Sequence, residues 1–214
     1  MNSGRVKSAL LLFCAALQFV ATDALSADIA GRITSVIGDV ECRSVGIAAV
    51  RTLKNGDPVH VADQLDTGKN GKIQVLLNDE SLITIMSASS IRISQYHFER
   101  DKSRMSAVVA LKQGSARFIL FRERKKGSSL IIETDQAMIQ TSRADLVVTA
   151  SGQLTELFTL AGSVGVRNSS NLVVGNIRVG ENQFVTVQAK TPPTNPTVIP
   201  LLQRRKFIKD ARKF

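Results

Sequence analysis

The chain has 214 residues, of which 43% are hydrophobic, and a net charge of +10. This length can hold one large domain or two small ones around a real hydrophobic core. Tryptophan is absent and Tyr96 is the only tyrosine, so the sequence supplies little for a platform that stacks sugars or bases. Those two ligand classes are therefore disfavoured.

The first 27 residues have the pattern of a secretory signal peptide. Arg5 and Lys7 precede an apolar stretch over residues 9–21, and Ala27 offers a small residue at a cleavage point. We predict a signal-peptide helix cleaved after Ala27 and a mature protein that is periplasmic or secreted. The apolar stretch is shorter than the roughly 20 residues of a spanning helix, and an uncleaved membrane anchor is the alternative. We expect no nucleic acid as a partner of an exported protein.

From Ile33 onward the sequence is a series of short, alternating apolar runs separated by turn-forming residues. Ile73, Val75 and Leu77 alternate, residues 78–81 supply turn chemistry, and a second alternating run follows. This arrangement predicts a β-hairpin. Further apolar runs lie at residues 108–111, 116–121, 130–134, 137–141, 146–149, 154–160, 164–166, 172–174 and 184–187. Many short strands at close spacing predict an all-β sandwich, barrel or solenoid-like roll.

Three glycines recur between predicted strands. Gly38, Gly114 and Gly162 are each followed by a small polar residue and then by another apolar run. Glycine adopts positive φ at a tight turn without a steric penalty. We predict that these three residues are structural turn residues.

The last part of the chain differs in composition from the β-rich body at residues 28–190. Residues 191–200 hold four of the five prolines, which predicts an extended linker. Residues 201–214 are predicted to form a short basic helix. Their net charge is +5, whereas the body between signal peptide and linker has +4.

The basic tail is the strongest candidate for a contact surface. Its cations, the predicted partner-binding residues, are Arg204, Arg205, Lys206, Lys209, Arg212 and Lys213. Such a cluster favours an anionic membrane, an acidic envelope polymer or an acidic protein. The alternatives are a solvated end and a structural cap over one end of the sheet.

Several motifs, in order, resemble those of the FecR domain family. The first are Gly38-Asp39-Val40, Gly56-Asp57 and Thr67-Gly68, followed by the strand 73–77 and the turn Asp79-Glu80-Ser81. The later ones are Leu111, Gly114, Arg117 and Phe118, then residues 160–166, and Gly180-Glu181 before the run 184–187. The similarity covers roughly residues 33–187.

The resemblance implies a stand-alone extracytoplasmic FecR domain with a β-sandwich or solenoid-like roll. The family's Arg-Gly-Thr-Asp-Phe motif keeps only its aspartate, Asp145, in residues 142–146. The namesake sensors have a cytoplasmic anti-sigma segment, whereas only eight residues precede the apolar leader here. We therefore expect no direct contact with a sigma factor.

Residues suited to catalysis or metal binding are scattered. His60 and His97 are far apart in the sequence, and Cys42 is the one cysteine that would remain after signal cleavage. We expect Cys42 to be buried, with pairing between chains as the alternative. Asp57, Asp63 and Asp66 could hold calcium, but turn composition explains two of these acids equally well.

These patterns predict a non-catalytic binding module without a cofactor or bound metal. We expect it to contact an envelope protein, an anionic polymer or a membrane surface. The alternative function is a regulatory component that relays a signal to a membrane partner, and an enzyme is the third possibility.

Overall fold

The computed structural model describes residues 28–46, 48–120 and 127–200, together with Arg204. The strands are β1 (Ile29–Ile37), β2 (Val40–Arg43), β3 (Arg51–Thr52), β4 (Pro58–His60), β5 (Gln64–Thr67), β6 (Lys72–Leu77), β7 (Leu82–Ile85), β8 (Ser90–Glu99), β9 (Arg104–Ile119), β10 (Ser129–Glu133), β11 (Ala137–Thr141), β12 (Ala144–Ser151), β13 (Leu154–Gly162), β14 (Val164–Asn168), β15 (Asn176–Val179), β16 (Gln183–Gln188) and β17 (Thr197–Val198). A single 3-10 turn, Arg100–Lys102, joins β8 to β9 within this part of the chain.

The predicted all-β class is confirmed. The predicted signal-peptide helix lies outside the described residues, and so does the predicted C-terminal helix apart from Arg204. Among the residues that the structure describes, no helix is long and apolar enough to span a bilayer.

The strands form two sheets that share β9. Sheet I has the order β4-β1-β6-β7-β9-β12-β13-β16-β17, and all of its neighbouring strands are antiparallel. Sheet II has the order β3-β2-β5-β8-β9-β10-β11-β14-β15. Its β9–β10 pair is parallel, which makes the sheet mixed.

The core is one cluster to which the inner faces of both sheets contribute. Ile73 and Val75 of sheet I are fully buried, as are Leu65 and Cys42 of sheet II. Along β6 the side chains alternate between buried and half-buried, as the apolar alternation predicts for a strand with one face in the core. Burial of each large aliphatic side chain contributes about 1.5–3 kcal/mol.

Glycines occupy the corners at which the chain passes from one sheet to the other. Gly38, Gly114 and Gly162 have φ of 63°, 84° and 81°, so the predicted turn conformations are confirmed. A Cβ on Gly114 would lie 2.5 Å from Cα of Ser89. Both the backbone conformation and the close approach of the neighbouring chain therefore require glycine at this corner.

Three of the predicted strands differ in the structure. Residues 108–111 and 116–121 were predicted as separate runs, but residues 104–119 form one strand, β9. Gly114 bends this strand from sheet II into sheet I without ending it. Residues 172–174 belong to no strand, and they follow a local turn in which the side chain of Asn168 accepts a bond from Ser170 N.

The proline-rich segment runs along the edge of sheet I. Within it, Thr197–Val198 pairs with the start of β16, and Thr194 N donates to the Thr186 carbonyl at 2.9 Å. The edge strands of both sheets, β4, β17, β3 and β15, are only two to four residues long. Short edges offer little template for uncontrolled pairing with other chains.

Candidate functional site

A buried carboxylate lies where β2, β3 and β4 converge on the start of β5. Asp63 is 1% exposed and accepts hydrogen bonds from the Ser44 hydroxyl and from His60 N, the latter at 2.9 Å. A guanidinium nitrogen of Arg51 lies 3.3 Å from Asp63 Oδ2, and His60 Nδ1 lies 3.5 Å from the same oxygen. The carboxylate therefore joins four segments of the chain.

The pKa shifts in this cluster indicate that Asp63 has a structural role. Burial by itself would raise the pKa of the Asp63 carboxyl. The hydrogen bonds donated by Ser44 and the His60 backbone outweigh that effect, so the pKa lies below its ordinary value. Burial and the charge of Asp63 raise the pKa of the neighbouring Cys42 thiol.

Cys42 is therefore held as a neutral thiol rather than as a nucleophilic thiolate. Its side chain is fully buried and free of any disulfide. The prediction that it is a buried small hydrophobe is confirmed.

The three acids considered for calcium lie on different elements and have different partners. Asp57 accepts a bond from Lys54 N at 2.9 Å, which closes the turn before β4. Asp66 pairs with Arg43 across β2 and β5. Across the described ranges, no group of three or more His, Cys, Asp or Glu side chains is arranged to hold a metal ion. His97 is exposed on β8 of sheet II, whereas His60 lies on β4 of sheet I.

The outer face of sheet II has a groove of about 380 Å³ over β11, β14 and β15. Gly165 forms its floor, because it has no side chain between Gln140 and Arg178, its partners on the two neighbouring strands. Asn176 and Ser142 complete its polar rim. Gln140, Asn176 and Arg178 are all exposed, so the groove presents amide and guanidinium donors.

A second groove of about 210 Å³ lies on the same face, over β9, β10 and β11. Lys112, Glu133 and Met138 border it. The outer face of sheet II therefore carries two neighbouring concavities.

Sequence reasoning missed this groove as a candidate site. Alternation within each strand places Gln140 and Arg178 on the side opposite the core. The register that brings both residues next to Gly165 depends on pairing with strands outside β14, to Gln140 25 residues before it and to Arg178 13 residues after it. No local pattern specifies that pairing.

Of the six predicted tail cations, only Arg204 is described. Its Nε donates to the Ile199 carbonyl at 3.0 Å, and its NH1 donates to Asn182 Oδ1 at 2.8 Å. Arg205, Lys206, Lys209, Arg212 and Lys213 lie outside the described residues. The tail as a partner-binding element stays a prediction.

These features define an all-β protein with an ordered buried polar centre and open polar grooves. Residues 63–165 match the family model described as FecR protein. The predicted resemblance is thereby confirmed over these residues, which extend from the start of β5 into β14.

Two similar solved structures are crystal structures of a "putative anti-sigma factor" from Parabacteroides distasonis ATCC 8503, at 1.65 and 2.50 Å resolution. They are 20% and 19% identical to this chain, with TM-scores of 0.48 and 0.49. Each match covers 63% of this chain and 60% of the solved one, so the chain spans less than two thirds of the length of these proteins. No curated protein matches this chain.

Proposed function

We propose that this protein is a non-catalytic, exported regulatory component that relays a signal by binding a protein partner associated with the membrane. The observation that supports this proposal most directly is the FecR domain at residues 63–165. It favours a regulatory role over the general envelope-binding role that composition alone suggested. The proposal includes export and cleavage after Ala27.

The outer face of sheet II is the proposed contact surface. Arg178 and the amides of Gln140 and Asn176 can donate several hydrogen bonds to one partner segment. Guanidinium groups form their strongest pairs with carboxylates. A partner surface with acidic and polar residues would therefore complement the groove.

The basic tail is a second proposed contact. Arg204 binds within the protein, so the cations of this contact are Arg205, Lys206, Lys209, Arg212 and Lys213, which favour an anionic membrane or envelope polymer close to the partner. Each cation near an anionic membrane contributes about 1 kcal/mol, so this contact weakens with added salt. It would increase the local concentration of the domain at the membrane rather than select the partner.

Complementation in the native host tests the regulatory role. Deletion of the gene should change the transcript levels of a defined set of genes, and the intact protein should restore them. The variant Arg178→Glu should fail to restore them, because it reverses the charge at the rim of the groove. The matched control is Lys54→Glu, which makes the same change in charge at an exposed turn on another part of the protein.

The two ways of failing are distinct. A deletion strain with an unchanged transcript profile would contradict the regulatory role itself. Full restoration by Arg178→Glu, with a thermal melt equal to that of the unmodified protein, would contradict only the choice of contact face.

A further inference from the structure

A row of side chains crosses the outer face of sheet I. Register places Thr84 beside Arg117, Arg117 beside Val147, Val147 beside Phe158, and Phe158 beside Phe184. Both sequence neighbours of Val147, Leu146 and Val148, belong to the main core cluster. Because successive side chains of a strand point to opposite faces, this row points away from the core.

The row is nevertheless buried. Phe158 is 0% exposed, and Val147 and Thr84 are each 2% exposed. Val147 packs with Met86 and Leu160 in a second apolar cluster, separate from the main core. An outer sheet face open to solvent would leave such side chains partly exposed, so another segment must cover this one.

An ion pair on the same face supports this conclusion. Arg117 and Asp145 form a bidentate pair with distances of 2.8 and 2.7 Å, and their side chains are only 15% and 21% exposed. A bidentate arginine–carboxylate pair is a means of satisfying charges that are removed from water.

The end of the described chain leads to this face. β17 pairs with β16, which contains Phe184. The next residues remain attached to the sheet, because Ile199 is 8% exposed and Arg204 binds Asn182 Oδ1, just before β16. The last residues of the chain therefore start at the edge of the buried row.

The chemistry and length of residues 201–214 fit the row. At 100° per residue, a helix over these residues places Phe207, Ile208 and Ala211 on the same side as Arg204, and Leu201 and Phe214 border that side. Fourteen helical residues measure about 21 Å. Three strand spacings from β16 to β9 measure about 14 Å, so the segment can cross the whole row.

We propose that residues 201–214 dock as an amphipathic segment on the outer face of sheet I, over Val147, Phe158 and Phe184. The apolar side of the segment covers the row, and Arg204 lies on that side, bonded to Asn182. Arg205, Lys206, Lys209, Arg212 and Lys213 then point away from the sheet. The basic surface is thereby held in a fixed orientation relative to the domain, and Arg204 is the one tail cation that binds inside the molecule.

A single tryptophan tests the docking in the full chain, which contains none of its own. In Phe207→Trp, the fluorescence should be blue-shifted and protected from acrylamide quenching, independently of protein concentration. Adding Phe184→Ser should shift the emission to longer wavelength and increase quenching. The matched control is an added Leu172→Ser, which alters a loop side chain that is 93% exposed and should change neither property.

Three outcomes would overturn the proposal. The first is solvent-like emission from Phe207→Trp in a protein with an intact thermal melt. The second is a blue shift that appears only as concentration rises, which would indicate a second copy as the occupant. The third outcome is measured on the unmodified protein, in case the tryptophan variant does not fold. It is that trypsin cleaves after Arg205, Lys206 and Lys209 as fast as it cleaves an unfolded peptide of the same sequence. Docking predicts that this cleavage is slowed on the order of tenfold or more.

Discussion

The outer faces of the two sheets differ in what their side chains contact. On sheet I, Val147 and Phe158 point outward and are still buried. On sheet II, the outward-pointing side chains in the row that contains Ile131 are half-buried or exposed. A groove opens over Gly165 on the same face. Both faces belong to one fold with one core, so the difference arises from what lies on each sheet rather than from the sheets themselves. One outer face is buried at the row through Val147, and the other is open at the groove over Gly165.

The largest effect that distinguishes the faces should come from truncating matched side chains. Phe158→Ala should lower the free energy of unfolding by about 3–5 kcal/mol, as for an aromatic residue in a core. Ile131→Ala on sheet II should cost about 1 kcal/mol, because its side chain is only partly removed from water. Chemical denaturation measures both values. Equal, small losses would mean that the face of sheet I is open to solvent.

This contrast also separates what the sequence could predict from what it could not. Alternation at Ile73, Val75 and Leu77 predicted a strand with one buried face, and the turn at residues 78–81 predicted the hairpin correctly. The same alternation predicts that Val147 and Phe158 are exposed to solvent. That prediction is wrong because the sequence of a single strand does not reveal which segment covers its second face. The groove at Gly165 depends on register between distant strands, which no local pattern contains. The continuous strand β9 was missed because Gly114 was taken to end a strand, although it bends one.

A second pair of variants contrasts a buried charge with one on the open face. Asp63→Asn should cost about 2–3 kcal/mol, because one of the two buried carboxylate oxygens that accept bonds from Ser44 and His60 N is replaced by a donor. Asp66→Asn should cost less than about 1 kcal/mol, because Asp66 and Arg43 form a more exposed pair on sheet II. Urea denaturation at neutral pH measures the difference. Similar losses in both variants would contradict the assignment of Asp63 as a structural centre.

The pH dependence of stability should follow from the lowered pKa of Asp63. A carboxyl whose pKa is lower in the folded state stabilises that state fully above its unfolded pKa, which is about 3.9 for aspartate. This contribution is lost as the pH falls from there through the folded pKa. Denaturation at several pH values should show a smaller loss of stability below about pH 4 in Asp63→Asn than in the unmodified protein. Parallel curves for the two proteins would contradict the prediction.

Glycine variants test the corners that join the two sheets. Gly162→Val should destabilise the protein by about 2–3 kcal/mol, because φ is +81° and a Cβ would lie 2.7 Å from the Arg143 carbonyl oxygen. Gly165→Ala is the control on the open face, where a Cβ would lie 3.5 Å from Asn176 Oδ1. It should change the stability by less than about 1 kcal/mol. A thermal melt unchanged by Gly162→Val would contradict the assignment of Gly162 as a residue that the turn between the sheets requires.

The smallest expected effect is a gain in stability. Ala62 has φ of 70° at the turn before β5, a conformation that costs an alanine about 1–2 kcal/mol. Ala62→Gly should therefore stabilise the protein by about 0.5–1 kcal/mol after the larger entropy of the unfolded glycine is included. Differential scanning calorimetry should show a higher Tm. A lower Tm would indicate that the contacts of the alanine methyl group stabilise the protein by more than the backbone strain destabilises it.

Methionine oxidation tests most directly whether the two outer faces differ. Met86 belongs to the cluster on sheet I, Met138 lies on the outer face of sheet II, and Met105 in the core reports any general unfolding. With peroxide and peptide mass spectrometry, Met138 should oxidise faster than Met86 and Met105 in the full chain. In a chain that ends at Pro200, oxidation of Met86 should accelerate while that of Met105 and Met138 stays unchanged. The account of a covered face on sheet I and an open face on sheet II would be contradicted by either of two results. One is equal oxidation rates of Met86 and Met138 in the full chain, and the other is an oxidation rate of Met86 that the deletion does not change.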